Sequence, residues 1–100
     1  MNNLAVAYFA LGRHQDALEL QEKTLKFRSR VLPENHPDIG ISYLNLSYSY
    51  RQAGDFNRAI ERAREALRIF QAALPPTHPH VEQAQKLIHH LEGSNAARRA

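Results

Sequence analysis

Apolar residues in this chain recur at helical spacing, and they do so in a set of separate stretches. Leu4, Ala5, Tyr8 and Leu11 step by three and four, as do Tyr43, Leu46, Ser47, Tyr50 and Ala53 further on. Gly12 and Gly54 follow these two stretches and are predicted to end the helices, since glycine takes the left-handed conformation that closes a helix. A longer helix comes after each glycine. In its second occurrence Ala59, Ala63, Ala66, Phe70 and Ala73 form a stripe of mostly small residues, with Ile60, Leu67 and Leu74 on the neighbouring line. Val81, Ala84, Leu87, Ile88 and Leu91 predict a last amphipathic helix ended by Gly93, with Ser94 to Ala100 as a frayed tail.

The stretches are copies of one another. A shift of 42 superposes Asn3 on Asn45, Leu4 on Leu46, Tyr8 on Tyr50, Gly12 on Gly54, Ala17 on Ala59 and Leu25 on Leu67. It also superposes Leu32-Pro33 on Leu74-Pro75 and His36-Pro37 on His78-Pro79, so that 11 of the first 39 positions are identical. Pro33 to Pro37 and Pro75 to Pro79 read as linkers. A proline just past a helix end cannot continue it, whereas Pro37 and Pro79 suit the first turn of the next helix. The expected organisation is a repeat solenoid over residues 1–92, with unit one at about 1–36, unit two at about 37–78, a capping helix at about 79–92 and a flexible tail at 93–100. The fold class is all-α: a right-handed α-solenoid of two helix pairs plus a C-terminal capping helix, each pair burying its face on its neighbour.

The form NLAVAYFALGRHQDAL and LNLSYSYRQAGDFNRAI resembles the tetratricopeptide repeat (TPR). With its 42-residue period, long second helix and LPENHPDI or LPPTHPHV linker, the chain is similar more narrowly to the repeats of kinesin light chains and nephrocystin-type proteins. Two departures stand out. The second helix of unit one carries Gln21, Thr24 and Arg28 where unit two has Ala63, Ala66 and Phe70, and Met1 falls inside the first helix by this register.

Composition narrows the chemistry. With 43% hydrophobic and 23% charged residues in 100, the chain fits one globular domain. It has no cysteine, which excludes a disulfide framework and thiolate zinc sites and makes a cytoplasmic setting the expectation. The longest apolar run, Leu4 to Leu11, falls far short of the roughly 20 residues a membrane span needs. Thirteen Lys plus Arg against ten Asp plus Glu give a mildly basic +3. Arg58 with Arg62 and Arg64 with Arg68 read as a solvated outer face, Glu61 and Glu65 offering i, i+3 partners, and no aromatic residues interleave with them to stack bases. Nucleic acid is therefore not the expected partner.

No phosphate loop, HExxH or nucleophile elbow is present, so no enzymatic activity and no cofactor is expected. The pairs His78, His80 and His89, His90 invite a metal reading. Adjacent histidines on a helix point about 100° apart, however, and His78 shares its place with His36 at a helix entry, so no metal is expected.

The resemblance implies a concave groove lined by the first helices, holding a peptide. By register its residues are Asn2, Asn3, Val6, Phe9 and Ala10 from unit one, Ile41, Leu44, Asn45, Tyr48, Arg51 and Gln52 from unit two, and Gln83, Lys86 and His90 from the cap. Asn3 and Asn45 match the groove asparagine that bonds a ligand's main chain in this family. Val6, Phe9, Leu44 and Tyr48 would supply apolar pockets, and Arg51, Lys86 and His90 a positive end. Asn2 and Val6 stand where some family members carry a clamp for a C-terminal carboxylate. The expected partner is thus a protein or peptide with an internal acidic segment and apolar anchors. Homo-oligomerisation through the solenoid ends is the second reading, and binding of RNA or an anionic surface the third.

Overall fold

The computed structural model describes residues 14–99, which form four α-helices and, among the described residues, no strand. We number them α1 (His14–Val31), α2 (Pro37–Gln52), α3 (Phe56–Ala73) and α4 (Pro79–Arg99). The helix expected before Gly12, and Asn2, Asn3, Val6, Phe9 and Ala10 on it, lie outside the described residues. Each helix packs on the next in chain order, which is the connectivity of an α-solenoid.

The helix ends follow the repeat. After α2, Gly54 adopts φ 83°, its N–H bonds to the Arg51 carbonyl (3.0 Å) and the Asp55 N–H reaches back to the Tyr50 carbonyl (2.9 Å). That pair of bonds is a Schellman closure, which requires the left-handed residue that glycine supplies. Asp55 then caps α3 by accepting from the Arg58 N–H at 3.2 Å. The two Pro-rich linkers make the same turn, His36 N–H to the Pro33 carbonyl and His78 N–H to the Pro75 carbonyl.

Both histidines then cap a helix. His36 Nδ1 accepts from the Asp38 N–H and His78 Nδ1 from the His80 N–H, each at 3.0 Å, with a proline at the first helical position. The His-Pro pair is therefore a cap that satisfies one of the orphan donors of the first turn. Replacing His36 by Ala should cost about 0.5–2 kcal/mol in a urea melt, and His36→Asp should recover most of it.

The end of α4 differs from the expectation that Gly93 closes it. The helix runs through Gly93 to Arg99. The repeat register explains this, because 12 and 54 lead to 96, and that position holds Ala96 where the units have their stop glycine. Gly93 sits mid-helix, where it costs stability without ending the helix.

The core runs through Leu25, Ile39, Leu46, Ala59, Ala63, Ala66, Phe70, Val81, Ala84 and Leu91. The alanine stripe of α3 is buried as expected up to Phe70, and Ala73 is exposed. Gly40 permits the close approach of α2 to α3: a Cβ there would come within 2.6 Å of the Phe70 ring.

The less apolar stripe of unit one is matched by its partner helix. Gln21 accepts from Ser49 Oγ at 2.5 Å, and Arg28 Nη1 donates to Ser42 Oγ at 2.8 Å and to the Asp38 carbonyl at 3.2 Å. One repeat later the same places hold buried Ala63 and Leu91 for Gln21 and Ser49, and Phe70 and Ala84 for Arg28 and Ser42. Where Arg28 meets the Asp38 backbone, Phe70 stacks on the His80 ring at 5.2 Å. The two interfaces share one geometry, filled in one case by hydrogen-bonded pairs and in the other by apolar ones. Thr24 completes unit one by returning its hydroxyl to the Leu20 carbonyl at 2.9 Å.

Candidate peptide-binding face

Ile41, Asn45, Tyr48 and Gln52 follow at i, i+4, i+7 and i+11 and so share one line of α2. Gln83, Lys86 and His90 do the same on α4 at i, i+3 and i+7. The two lines meet where Gln83 Nε2 donates to the Tyr48 hydroxyl at 3.1 Å. Arg51, one turn beyond, holds its guanidinium 5.2 Å from the Tyr48 ring centre. Asn45 is half-buried beside them, and its amide makes no hydrogen bond to any described residue. An amide both donates and accepts, so this group can bond a peptide unit at either end.

Lys86 and His90 are exposed on α4. Lys86 is tied to Glu82 at 2.9 Å, and its ammonium holds the Glu82 carboxyl below the usual carboxylate range, first through the hydrogen bond and then through its charge. Part of the positive end expected of this face is thereby neutralised. Leu44, expected to open an apolar pocket here, is 5% exposed and belongs to the core. Tyr48 and Ile41 are the apolar groups on this line of α2 that remain half-open.

The cations of α3 are not uniformly solvated. Arg62 is three-quarters covered, donates to Glu22 at 3.2 Å and lies 5.8 Å from the Tyr43 ring centre. The same Glu22 oxygen accepts from the Tyr50 hydroxyl at 3.0 Å. Arg64 does not use Glu61; it crosses to Glu92 on α4 at 2.7 Å. Arg68 does pair with Glu65 as expected, and also donates to Asn35. The Arg64 to Glu92 bridge spans a cleft of about 790 Å³ lined by Asn57, Ile60, Glu61 and Asn95, away from the Asn45 and Tyr48 line.

Among the described residues no group of three or more His, Asp or Glu could hold a metal ion. The His78 and His80 rings are 4.8 Å apart, but His78 Nδ1 is engaged as the cap of α4. No helix of the described residues is long and apolar enough to cross a membrane.

Comparison with known proteins agrees with this geometry. Residues 1–72 match the family model for the tetratricopeptide repeat. Protein KINESIN LIGHT CHAIN-RELATED 3 of Arabidopsis thaliana is 30% identical over 66 residues, covering 66% of this chain and 10% of that protein. The clustered mitochondria protein homolog of Aspergillus oryzae is 24% identical over 102 residues, covering 98% of this chain and 8% of that protein. The chain thus spans a tenth or less of the curated relatives it matches here. Among solved structures, nearly identical TPR-like repeats of a candidate kinesin light chain from Podosopora anserina superpose with a TM-score of 0.85. That match is 25% identical and covers 96% of this chain and 46% of the other. With a matching pattern over most of its length and a solenoid of the same shape, the chain belongs to the tetratricopeptide repeat family.

Proposed function

We propose that the chain is a non-enzymatic protein-interaction module of adaptor or scaffold type, which holds a peptide segment across the face built by its first helices. The observation that carries this reading is Asn45: a half-buried amide without a hydrogen bond to the described residues, one turn from Tyr48 and the Gln83 that Tyr48 bonds. A ligand main chain can engage both ends of such a half-buried amide at once. Asn2, Asn3, Val6 and Phe9 would extend the same face in unit one. The ligand is an internal segment with an apolar or aromatic anchor for Tyr48 and Ile41 and acidic residues for Arg51 and His90.

The test uses a peptide selected against the chain by display. Asn45→Ala should leave the melting curve within about 1 kcal/mol of the parent and weaken peptide binding by about 1–3 kcal/mol, the loss of hydrogen bonds to a desolvated partner. If Asn45→Ala instead destabilises the fold and leaves binding untouched, the residue is structural and the groove assignment is wrong.

A further inference from the structure

We propose that Ser29 is a phosphorylation site, modified by a serine kinase that reads basic flanks, and that Arg68 of the next repeat unit receives the phosphate. Ser29 lies in the last turn of α1 with Lys26, Arg28 and Arg30 at −3, −1 and +1, and no acidic residue falls between Lys23 and Pro33. Charge patterns of this kind select the substrates of kinases. The corresponding residues of unit two are Arg68, Phe70, Gln71 and Ala72, so the hydroxyl and two of its three cations belong to unit one alone.

Ser29 is exposed, as is Gln71 at the same place in unit two, so the repeat register itself leaves this position open. Its hydroxyl bonds no described residue. α1 ends two residues later at Val31, ahead of Pro33, and a last helical turn is the part of a helix that opens at least cost. Opening it presents Ser29 in an extended segment and releases Arg28 from Ser42 and the Asp38 carbonyl, so the −1 cation is then available as well. In the reaction Ser29 Oγ forms a bond to the γ-phosphorus of ATP and the bond to the bridging oxygen breaks. ADP leaves, and the hydroxyl proton passes to the kinase's catalytic carboxylate.

What holds the product is already in place. Glu22 on α1 pairs with Arg62 on α3, and two turns further along both helices come Ser29 and Ile69. These two line one cleft of about 210 Å³ together with Arg68, Asn35, Tyr43 and Glu34. Arg68 is exposed and is shared between the Glu65 carboxylate and Asn35 Oδ1, each at 3.1 Å. A phosphate carries nearly two charges where Glu65 carries one, so it draws the guanidinium across the cleft. The Tyr43 hydroxyl, which bonds no described residue, is a second donor on the same cleft. Glu34 opposes the phosphate, but it is exposed and solvent screens it. Without Arg68 the modification is unfavourable, because it adds negative charge at the C-terminal end of α1. With Arg68 the phosphate ties α1 to α3 across the joint between the two repeat units.

The experiment has two arms, both on the full chain. In the first, a panel of basophilic and acidophilic serine kinases acts on it with ATP, and the labelled residue is mapped by mass spectrometry. Basophilic kinases should label Ser29 about tenfold faster than acidophilic ones, and Lys26→Gln with Arg30→Gln should slow them about tenfold. Ser29→Ala should lose the label. No label at Ser29, a rate insensitive to the flanks, or label on an isolated peptide of residues 22–34 but not on the chain overturns the proposal. In the second arm, phosphoserine is placed at position 29 by genetic encoding. Its phosphorus resonance should titrate below the usual value of about 6, and return to it in Arg68→Gln. In urea, the phosphate should favour the folded chain about fivefold more in the parent than in Arg68→Gln. Arg68→Lys, which keeps a charge there, should recover most of both effects, and circular dichroism checks that each variant folds. A titration and a stability that are the same in the parent and in Arg68→Gln overturn Arg68 as the receiving group.

Discussion

Tyr50→Ala should lower the stability of this chain by about 3–5 kcal/mol, the range for truncating a buried aromatic side chain. Tyr50 is 7% exposed and belongs to the core with Leu46, while its hydroxyl donates to Glu22 on α1. It is therefore both a filler between α2 and its neighbours and a polar strap between repeat units. A domain of about 100 residues has some 5–15 kcal/mol in all, so the variant should be largely unfolded at the lower end of that range. Urea denaturation followed by circular dichroism measures it, and a loss under about 1 kcal/mol would show that the site collapses around the missing ring.

Tyr50→Phe separates the two roles. It keeps the ring and removes the strap, so it should cost about 0.5–1.5 kcal/mol near neutral pH. It should also change the alkaline limb. Burial pushes the Tyr50 phenol above its ordinary value of about 10, helped by the hydrogen bond to Glu22 and the Glu22 charge, with Arg62 opposing. The folded state therefore holds this proton more tightly than the unfolded chain does. That contribution is complete below about pH 10 and is lost as pH rises through the folded-state value, so the parent should lose stability there more steeply than Tyr50→Phe. Parallel alkaline limbs for the two proteins would contradict this.

The parts of the fold legible in the sequence are those written within one helix or one turn. Gly54, the His-Pro caps and the alanine stripe each announce themselves over a few residues, and the 42-residue shift repeats the statement. What was not legible lies across helices. Gln21 with Ser49, Glu22 with Tyr50 and Arg64 with Glu92 are all 28 positions apart, the offset from a second helix to the next first helix. No single-helix spacing contains that offset, nor the 40 positions between Arg62 and Glu22, so Arg62 reads as solvated and Arg64 as a partner of Glu61. Gly93 differs for another reason: by residue type it reads as a stop, while the repeat register puts the stop position at Ala96. On the candidate face, Tyr48 and Gln83 were legible because the register alone brings first helices side by side. Leu44 was not, because a residue at the edge of a helical stripe goes to core or groove according to a rotation of a few tens of degrees that sequence does not specify.

Gly40 shows the same limit at atomic scale, and with Phe70 it yields a prediction whose sign changes with context. Near the start of α2, Gly40 reads as a weak point, since glycine costs about 0.5–1 kcal/mol relative to alanine within a helix. In the fold a methyl group there would come within 2.6 Å of the Phe70 ring, which is fully buried and stacked on His80, so it has little room to retreat. Gly40→Ala should therefore destabilise the parent by about 1–3 kcal/mol through overpacking, despite the gain in helix propensity. Phe70→Ala should cost about 3–5 kcal/mol by opening a cavity between α2, α3 and α4. In that background the ring is gone, and Gly40→Ala should become stabilising by up to about 1 kcal/mol, from propensity and from the methyl entering the vacated space. The measurement is a double-mutant cycle by urea denaturation, with Phe70→Leu as the milder background where Phe70→Ala leaves too little folded protein. Additive effects of the two substitutions would mean that α2 shifts away from α3 at no cost, and that the close approach at Gly40 is not what positions the helix pair.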